Sequence, residues 1–204
     1  MDMERDLEAL CAKALELGAY KIGRLSARDV VIDPRVRMKC SIPLCDNYGM
    51  NRMCPPNVIS PEEFAKALGA YHHALVVQFD LAMNQADLRE RFGRKSLDEL
   101  LVDESYSRIM KESQRHMSLA LGKLEKEALY MGYRFAAALA GGCCCLCDEC
   151  VGPSSQARCR HPFQARPSIE AVGIDVVATA EKAGLKVEFP AKEKAVWTGL
   201  LLVD

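Results

Sequence analysis

Apolar positions at Leu7, Leu10, Cys11, Ala14 and Gly18 recur with the spacing of one helix face, so residues 6–18 are predicted to form an amphipathic helix ending at a glycine. On that face Cys11 packs as a small hydrophobe. Residues 20–32 carry β-branched positions around Ser26-Ala27-Arg28 and read as a strand or short hairpin. Residues 33–58 lack a period, contain charged turns and several prolines, and read as ordered loop. Ser60-Pro61-Glu62-Glu63 then combines an N-cap, a proline at the first helical position and a capping-box glutamate, opening a helix to Leu68.

Residues 73–81 form a strand with a buried middle, and Ser96-Leu97-Asp98-Glu99 is a second capping box. The positions Tyr106, Ile109, Met110, Met117, Ala120, Leu121, Leu124 and Ala128 hold a helical period up to Gly132, which predicts the longest helix. Residues 134–140 read as a short buried strand feeding Gly141-Gly142. Pro167-Ser168 opens a helix through Ile169, Val172, Val176 and Ala180 to Gly184, and residues 186–189 and 195–203 read as two closing strands. Helices alternate with strands, so the expected fold is α/β (or α+β), one domain over residues 1–204. It has a mixed or largely parallel sheet flanked by helices, and cysteine-bearing loops at 33–58 and 141–167.

Composition narrows the chemistry. With 204 residues, half of them apolar, the chain can bury a core without crosslinks, so its ten cysteines are not needed as a disulfide scaffold. The N-terminus carries acids where a secretory signal carries bases, and the apolar stretch at 135–147 is shorter than the roughly 18–20 residues of a membrane span. A cytoplasmic protein with no membrane partner is expected. In that reducing compartment clustered cysteines serve metals or redox chemistry more often than structural disulfides. The net charge of −1 argues against a nucleic-acid partner. Both cysteine segments are nonetheless slightly basic. Arg35, Arg37, Lys39 and Arg52 stand against Asp33 and Asp46, and Arg158, Arg160 and Arg166 against Asp148 and Glu149. Such a bias offsets the negative charge of thiolates, and solvated loop charges account for it equally well.

The second segment reads Gly142-Cys143-Cys144-Cys145-Leu146-Cys147-Asp148-Glu149-Cys150, with Cys159 following. In the frame of Cys144 this is CxxCxxC plus a fourth cysteine, the spacing with which bacterial-type ferredoxins hold iron–sulfur clusters; CxxC pairs also serve zinc. The other frame, Cys143, Cys145 and Cys147, would line one face of an extended strand. The Cys144 frame is preferred because it has two consecutive CxxC steps. Cys143 and Cys145 are then packed under the strand end, or act as hydrogen-bonding or exchangeable thiols beside the centre. The first segment supplies Cys40, Cys45 and Cys54, with a turn signal at Asp46-Asn47-Tyr48-Gly49 and Pro55-Pro56 stiffening its exit. It offers no local fourth ligand.

The patterns KCxxxxCxxYGxxxxCPP, GCCCLCxEC and CRHPxxARPSxEAxGIDV, spanning residues 37–176, resemble an uncharacterised family of prokaryotic predicted metal-binding proteins. The resemblance implies Cys40, Cys45, Cys54, Cys144, Cys147, Cys150 and Cys159 as metal and cofactor ligands. It carries no established activity, and Cys143 and Cys145 depart from its pattern.

Seven thiols permit two [4Fe–4S] clusters, with the first set borrowing a fourth ligand such as Cys159. They also permit an enzyme with an open iron at Cys40/Cys45/Cys54 acting on a small molecule. A third possibility is a single cluster or zinc site with the other thiols structural. The leading expectation is an iron–sulfur protein in redox or electron transfer with an unidentified partner; structural zinc with a partner-binding role is the alternative. Among the histidines only His161 adjoins a cysteine set. Gly141-Gly142 lacks a phosphate-loop pattern and gives the backbone freedom, and Arg166 reads as a solvated arginine beside a helix cap.

Overall fold

In the computed structural model, residues 2–188 and 194–204 are described. Helix α1, Met3–Glu16, starts on Asp2, whose carboxylate accepts from the Arg5 amide, and so begins earlier than its apolar period suggested. It buries Leu7, Leu10 and Ala14. Strand β1, Ala19–Ser26, follows.

Within the stretch expected to be loop lies a helix, α2, Pro34–Ser41. Asp33 caps it and Pro34 occupies its first turn, a start signal hidden by the lack of an apolar stripe, since none of its residues is buried. Helix α3, Pro61–Leu68, has the expected capping box and buries Phe64 and Leu68, and strand β2, His73–Asp80, follows it. Helix α4, Gln85–Phe92, falls where no helix was expected, capped by Asn84. The Ser96 box opens only the short α5, Leu97–Leu101; Asp103 caps the long α6, Glu104–Tyr130.

Strand β3, Ala137–Ala140, leads into the second cysteine loop. The helix expected from Pro167 is interrupted. Residues 170–172 make one 3₁₀ turn, Gly173 takes φ +84°, and α7, Val176–Lys182, starts afresh on Asp175. Residues 186–188 are not strand, and Phe189 of that expected strand lies outside the described residues. Strand β4, Val196–Val203, closes the chain.

The sheet order is β1-β2-β4-β3, antiparallel throughout. Helices and sheet combine as expected, but the strand directions do not. Because β4 inserts between β2 and β3, every pair joins strands distant in sequence, and helix–strand alternation then leaves direction open. Alternate side chains of β2 face opposite ways. Leu75, Val77 and Phe79 meet Leu7 and Leu10 of α1 and Met117, Leu121 and Leu124 of α6; Ala74 and Val76 meet Phe64, Ile169, Val172 and Ala180 on the other face. Cys11 packs at the margin of the first cluster, and burial raises its thiol pKa. No helix among the described residues is long and apolar enough to cross a membrane.

Candidate metal centre

Cys40 rides in the last turn of α2 and is half-buried. Backbone bonds then fold the first loop on itself: Cys45 N donates to Cys40 O at 3.0 Å, and Gly49 N to Pro55 O at 2.8 Å. Gly49 has φ +72°, which favours glycine at that reversal. Cys54, whose amide donates to Asn51 O at 3.2 Å, is 6 % exposed, whereas Cys45 is exposed.

The second loop is closed at its neck. Ala140 N donates to Pro167 O at 3.0 Å and Ile169 N to Ala140 O at 3.1 Å, so both feet of the loop belong to one short parallel pairing at the end of β3. Gly142, at φ +73°, donates its amide to Glu170 Oε2 at 3.1 Å, and Ser168 Oγ donates to the same oxygen at 2.7 Å.

Beyond the neck, Cys143, Cys144, Cys145, Cys147 and Cys150 all border one open cleft. The Cys143 and Cys145 sulfurs are 3.5 Å apart, and Cys145 Sγ donates to Gln114 Oε1 of α6 at 2.9 Å. Cys144, Cys147, Cys150 and Cys159 line a common cavity of 20 Å³, together with Arg52 and His161. Cys159 Sγ accepts the His161 amide at 3.4 Å. Cys159 therefore sits with the second set rather than reaching toward the first.

Three contacts join the loops. Asn51, 5 % exposed, donates Nδ2 to Cys144 O at 3.0 Å and accepts the Met53 amide at its Oδ1 at 3.0 Å. Arg52 Nη2 donates to Ser155 O at 3.1 Å and Ala157 O at 2.8 Å. Met53 O accepts the Ser168 amide at 3.1 Å, which sets Cys54 beside the neck. Arg37 ties α2 to the same region through Ile59 O and Ala171 O.

Crowding of thiols in partial burial shows in their acidity. Cys54 is pushed up to about 12, first by burial and then by the charges it would face on Cys143, Cys45 and Cys40. Burial likewise raises Cys40 and Cys144; around Cys144 the neighbouring charges are Cys159, Cys150 and Cys147. Cys143 moves the other way, to about 7, chiefly through its sulfur–sulfur contact with Cys145, and Cys145 is raised in return. Without a cation the raised thiols Cys40, Cys54 and Cys144 hold their protons; a metal displaces them.

Among the described residues no three His, Cys, Asp or Glu side chains converge closely enough to hold a single ion. The cavity between Cys144, Cys147, Cys150 and Cys159 has room for about one water-sized body. Loading therefore moves side chains in either case, inward for one ion and outward for a cluster. The donor chemistry fits a thiolate-bound centre. Four sulfurs share the cavity wall, and Arg52, which also borders it, has a buried Nε–H without a partner, a donor suited to an anionic group.

Sequence reasoning did not anticipate Asn51, Glu170 or Gln114, whose partners lie 93, 28 and 31 residues away. No local pattern signals such contacts. Arg166 was expected to be solvated; instead its side chain is 11 % exposed and pairs with Glu125 of α6 at 2.6 Å. It also donates to Phe163 O and Ala165 O, securing the exit of the cysteine loop. His116 stacks edge-on against Phe79.

No match to the chain was found among curated proteins or solved structures. Residues 23–203 match the family described as predicted metal-binding protein (DUF2284), a domain of unknown function, and this span includes every cysteine except Cys11. The chain thus belongs to this cysteine-rich family of predicted metal-binding proteins, DUF2284.

Proposed function

We propose that the protein is an iron–sulfur protein that passes electrons to a partner, with Cys144, Cys147, Cys150 and Cys159 holding a cluster of the [4Fe–4S] type. The observation that carries this reading is the lining of one cavity by these four thiols, which come from a CxxCxxC run and a fourth cysteine. When bound, such a cluster supplies reversible one-electron transfer. The chain's own residues hold and tune it. The thiolates anchor it, Arg52 brings an unpartnered N–H and a positive charge to the wall, and Asn51 fixes the backbone of the first ligand through Cys144 O.

An open cleft of 1060 Å³ beside this region gives a partner its approach. It is lined by Cys143, Cys144, Cys145, Cys147 and Cys150 and by Arg108, Lys111, Arg115, Glu104 and Glu112 of α6.

Anaerobic purification followed by iron, acid-labile sulfide and zinc analysis, with EPR before and after dithionite, tests the reading. Iron and sulfide in equal amounts and a signal that appears on reduction are expected. Stoichiometric zinc without sulfide would refute it in favour of structural zinc.

A further inference from the structure

Cys143 and Cys145 have no part in the proposed centre. They flank Cys144 in irregular chain just beyond Gly142, and their sulfurs are 3.5 Å apart. Gln114 of α6 faces both: its Oε1 accepts the Cys145 thiol at 2.9 Å and stands 4.0 Å from the Cys143 sulfur. Neither residue lines the small cavity shared by Cys144, Cys147, Cys150 and Cys159. Both line the open cleft of 1060 Å³, so a small molecule reaches them without the loop having to unfold.

Two thiols at contact distance have a reaction open to them that an isolated thiol lacks. A disulfide bond holds its sulfurs about 2.05 Å apart, so side-chain rotation that brings these two closer by about 1.5 Å joins them. We propose that Cys143 and Cys145 are a redox-active dithiol that exchanges with a low-molecular-weight disulfide entering the cleft. The proposal goes beyond the cluster reading and does not depend on which metal the neighbouring thiols hold.

The exchange balances with the substrate disulfide as its oxidant. The Cys143 sulfur, as thiolate, attacks one sulfur of R–S–S–R; a mixed disulfide with Cys143 forms, the substrate S–S bond breaks and one R–S⁻ leaves. Cys145 then attacks the Cys143 sulfur, closing the Cys143–Cys145 disulfide and expelling the second R–S⁻. The two protons of the dithiol end on two R–SH, and its two electrons pass to the substrate. With excess R–SH the same steps run in reverse. Cys145 takes the second step because its thiol is the one that Gln114 Oε1 holds closely, at 2.9 Å against 4.0 Å for Cys143. The cleft wall carries both signs of charge, Lys111 and Arg115 among the cations and Glu112 and Asp148 among the acids. That lining suits a small disulfide whose ends bear both amino and carboxylate groups.

The test equilibrates the anaerobic, metal-loaded protein with mixtures of glutathione and glutathione disulfide. The cysteines are then mapped by alkylation and peptide mass spectrometry, with iron, sulfide and zinc measured on the same samples. A Cys143–Cys145 disulfide should form and disappear reversibly with the mixture, releasing about two glutathiones per chain at unchanged metal content. Cys145→Ser should stop at a glutathione bound to Cys143, releasing about one, and Cys143→Ser should form neither adduct nor ring. The titration of the unsubstituted chain stands even where a serine variant misfolds.

Cys143 and Cys145 remaining free thiols in every mixture would overturn the proposal. So would protection of either from alkylation that a chelator lifts, which marks a metal ligand, or a disulfide from either one to a different cysteine. An adduct on Cys145 in Cys143→Ser, formed as fast as that on Cys143 in Cys145→Ser, would overturn the assigned roles. A reversible Cys143–Cys145 couple in a protein that holds zinc without sulfide would support the pair and end the cluster reading.

Discussion

Replacing Asn51 by alanine removes a donor to Cys144 O and an acceptor for Met53 N, both at 3.0 Å, from a position that is 5 % exposed. Neither orphaned backbone group has another hydrogen bond among those described, and a buried group left without its partner costs about 1–3 kcal/mol. Some water enters the space the amide vacates, so the sum for two groups is about 2–4 kcal/mol. In a chain of this size each kcal/mol lowers Tm by roughly 2–4 °C, so Asn51→Ala should melt about 4–16 °C below the wild type. Asn51→Asp is a sharper probe. It keeps the acceptor for Met53 N but turns an oxygen, and a charge, toward the Cys144 carbonyl, so it should be at least as damaging as alanine despite its shape. Asn57→Ala removes only one bond, from Asn57 Nδ2 to Asn51 O at 3.1 Å, and should cost roughly half as much. The assay is thermal melting of the metal-loaded protein followed by circular dichroism, with metal content before heating. An Asn51→Ala protein melting within about 1 °C of the wild type, and indistinguishable from Asn51→Asp, would refute the view that this side chain couples the cysteine loops.

Two further substitutions test how the second loop is held. Gly142→Ala would place a Cβ 1.9 Å from Gln114 Nε2 at a backbone φ of +73°, combining a clash with about 1–2 kcal/mol of left-handed strain; adding Gln114→Ala should recover the clash portion only, and a cycle of melting measurements showing no coupling would count against the contact. Arg166→Met leaves Glu125 16 % exposed without its cation, and breaking a buried pair on one side costs about 3–5 kcal/mol, discounted here toward the lower figure for its residual exposure; a change in urea midpoint worth under about 1 kcal/mol would show the pair to be dispensable.

The elements whose signals are local were legible in the sequence. The Ser60 and Ser96 capping boxes act within four residues, the apolar period of α6 matches the face that Leu121 and Leu124 bury, and the CxxCxxC spacing delimits the second thiol set. Helices without an apolar stripe were not: α2 buries none of its residues and α4 only Phe92, so periodicity had nothing to report. The break at Gly173 was hidden too, because Val172 and Val176 keep helical spacing across a glycine with φ +84° that packs against Pro61.

By itself the sequence determined that this chain is a helix-and-sheet protein with two cysteine-bearing loops, since residue type and spacing carry that information. Only the tertiary structure decided which thiols meet. Cys144 and Cys159 come to one cavity beside the neck where β3 pairs with Ser168, and Asn51 reaches 93 residues along the chain to hold the turn. Sheet direction was settled at the same level, by the insertion of β4 between β2 and β3. Contacts of that kind depend on how distant segments pack, and no local pattern of side chains encodes them.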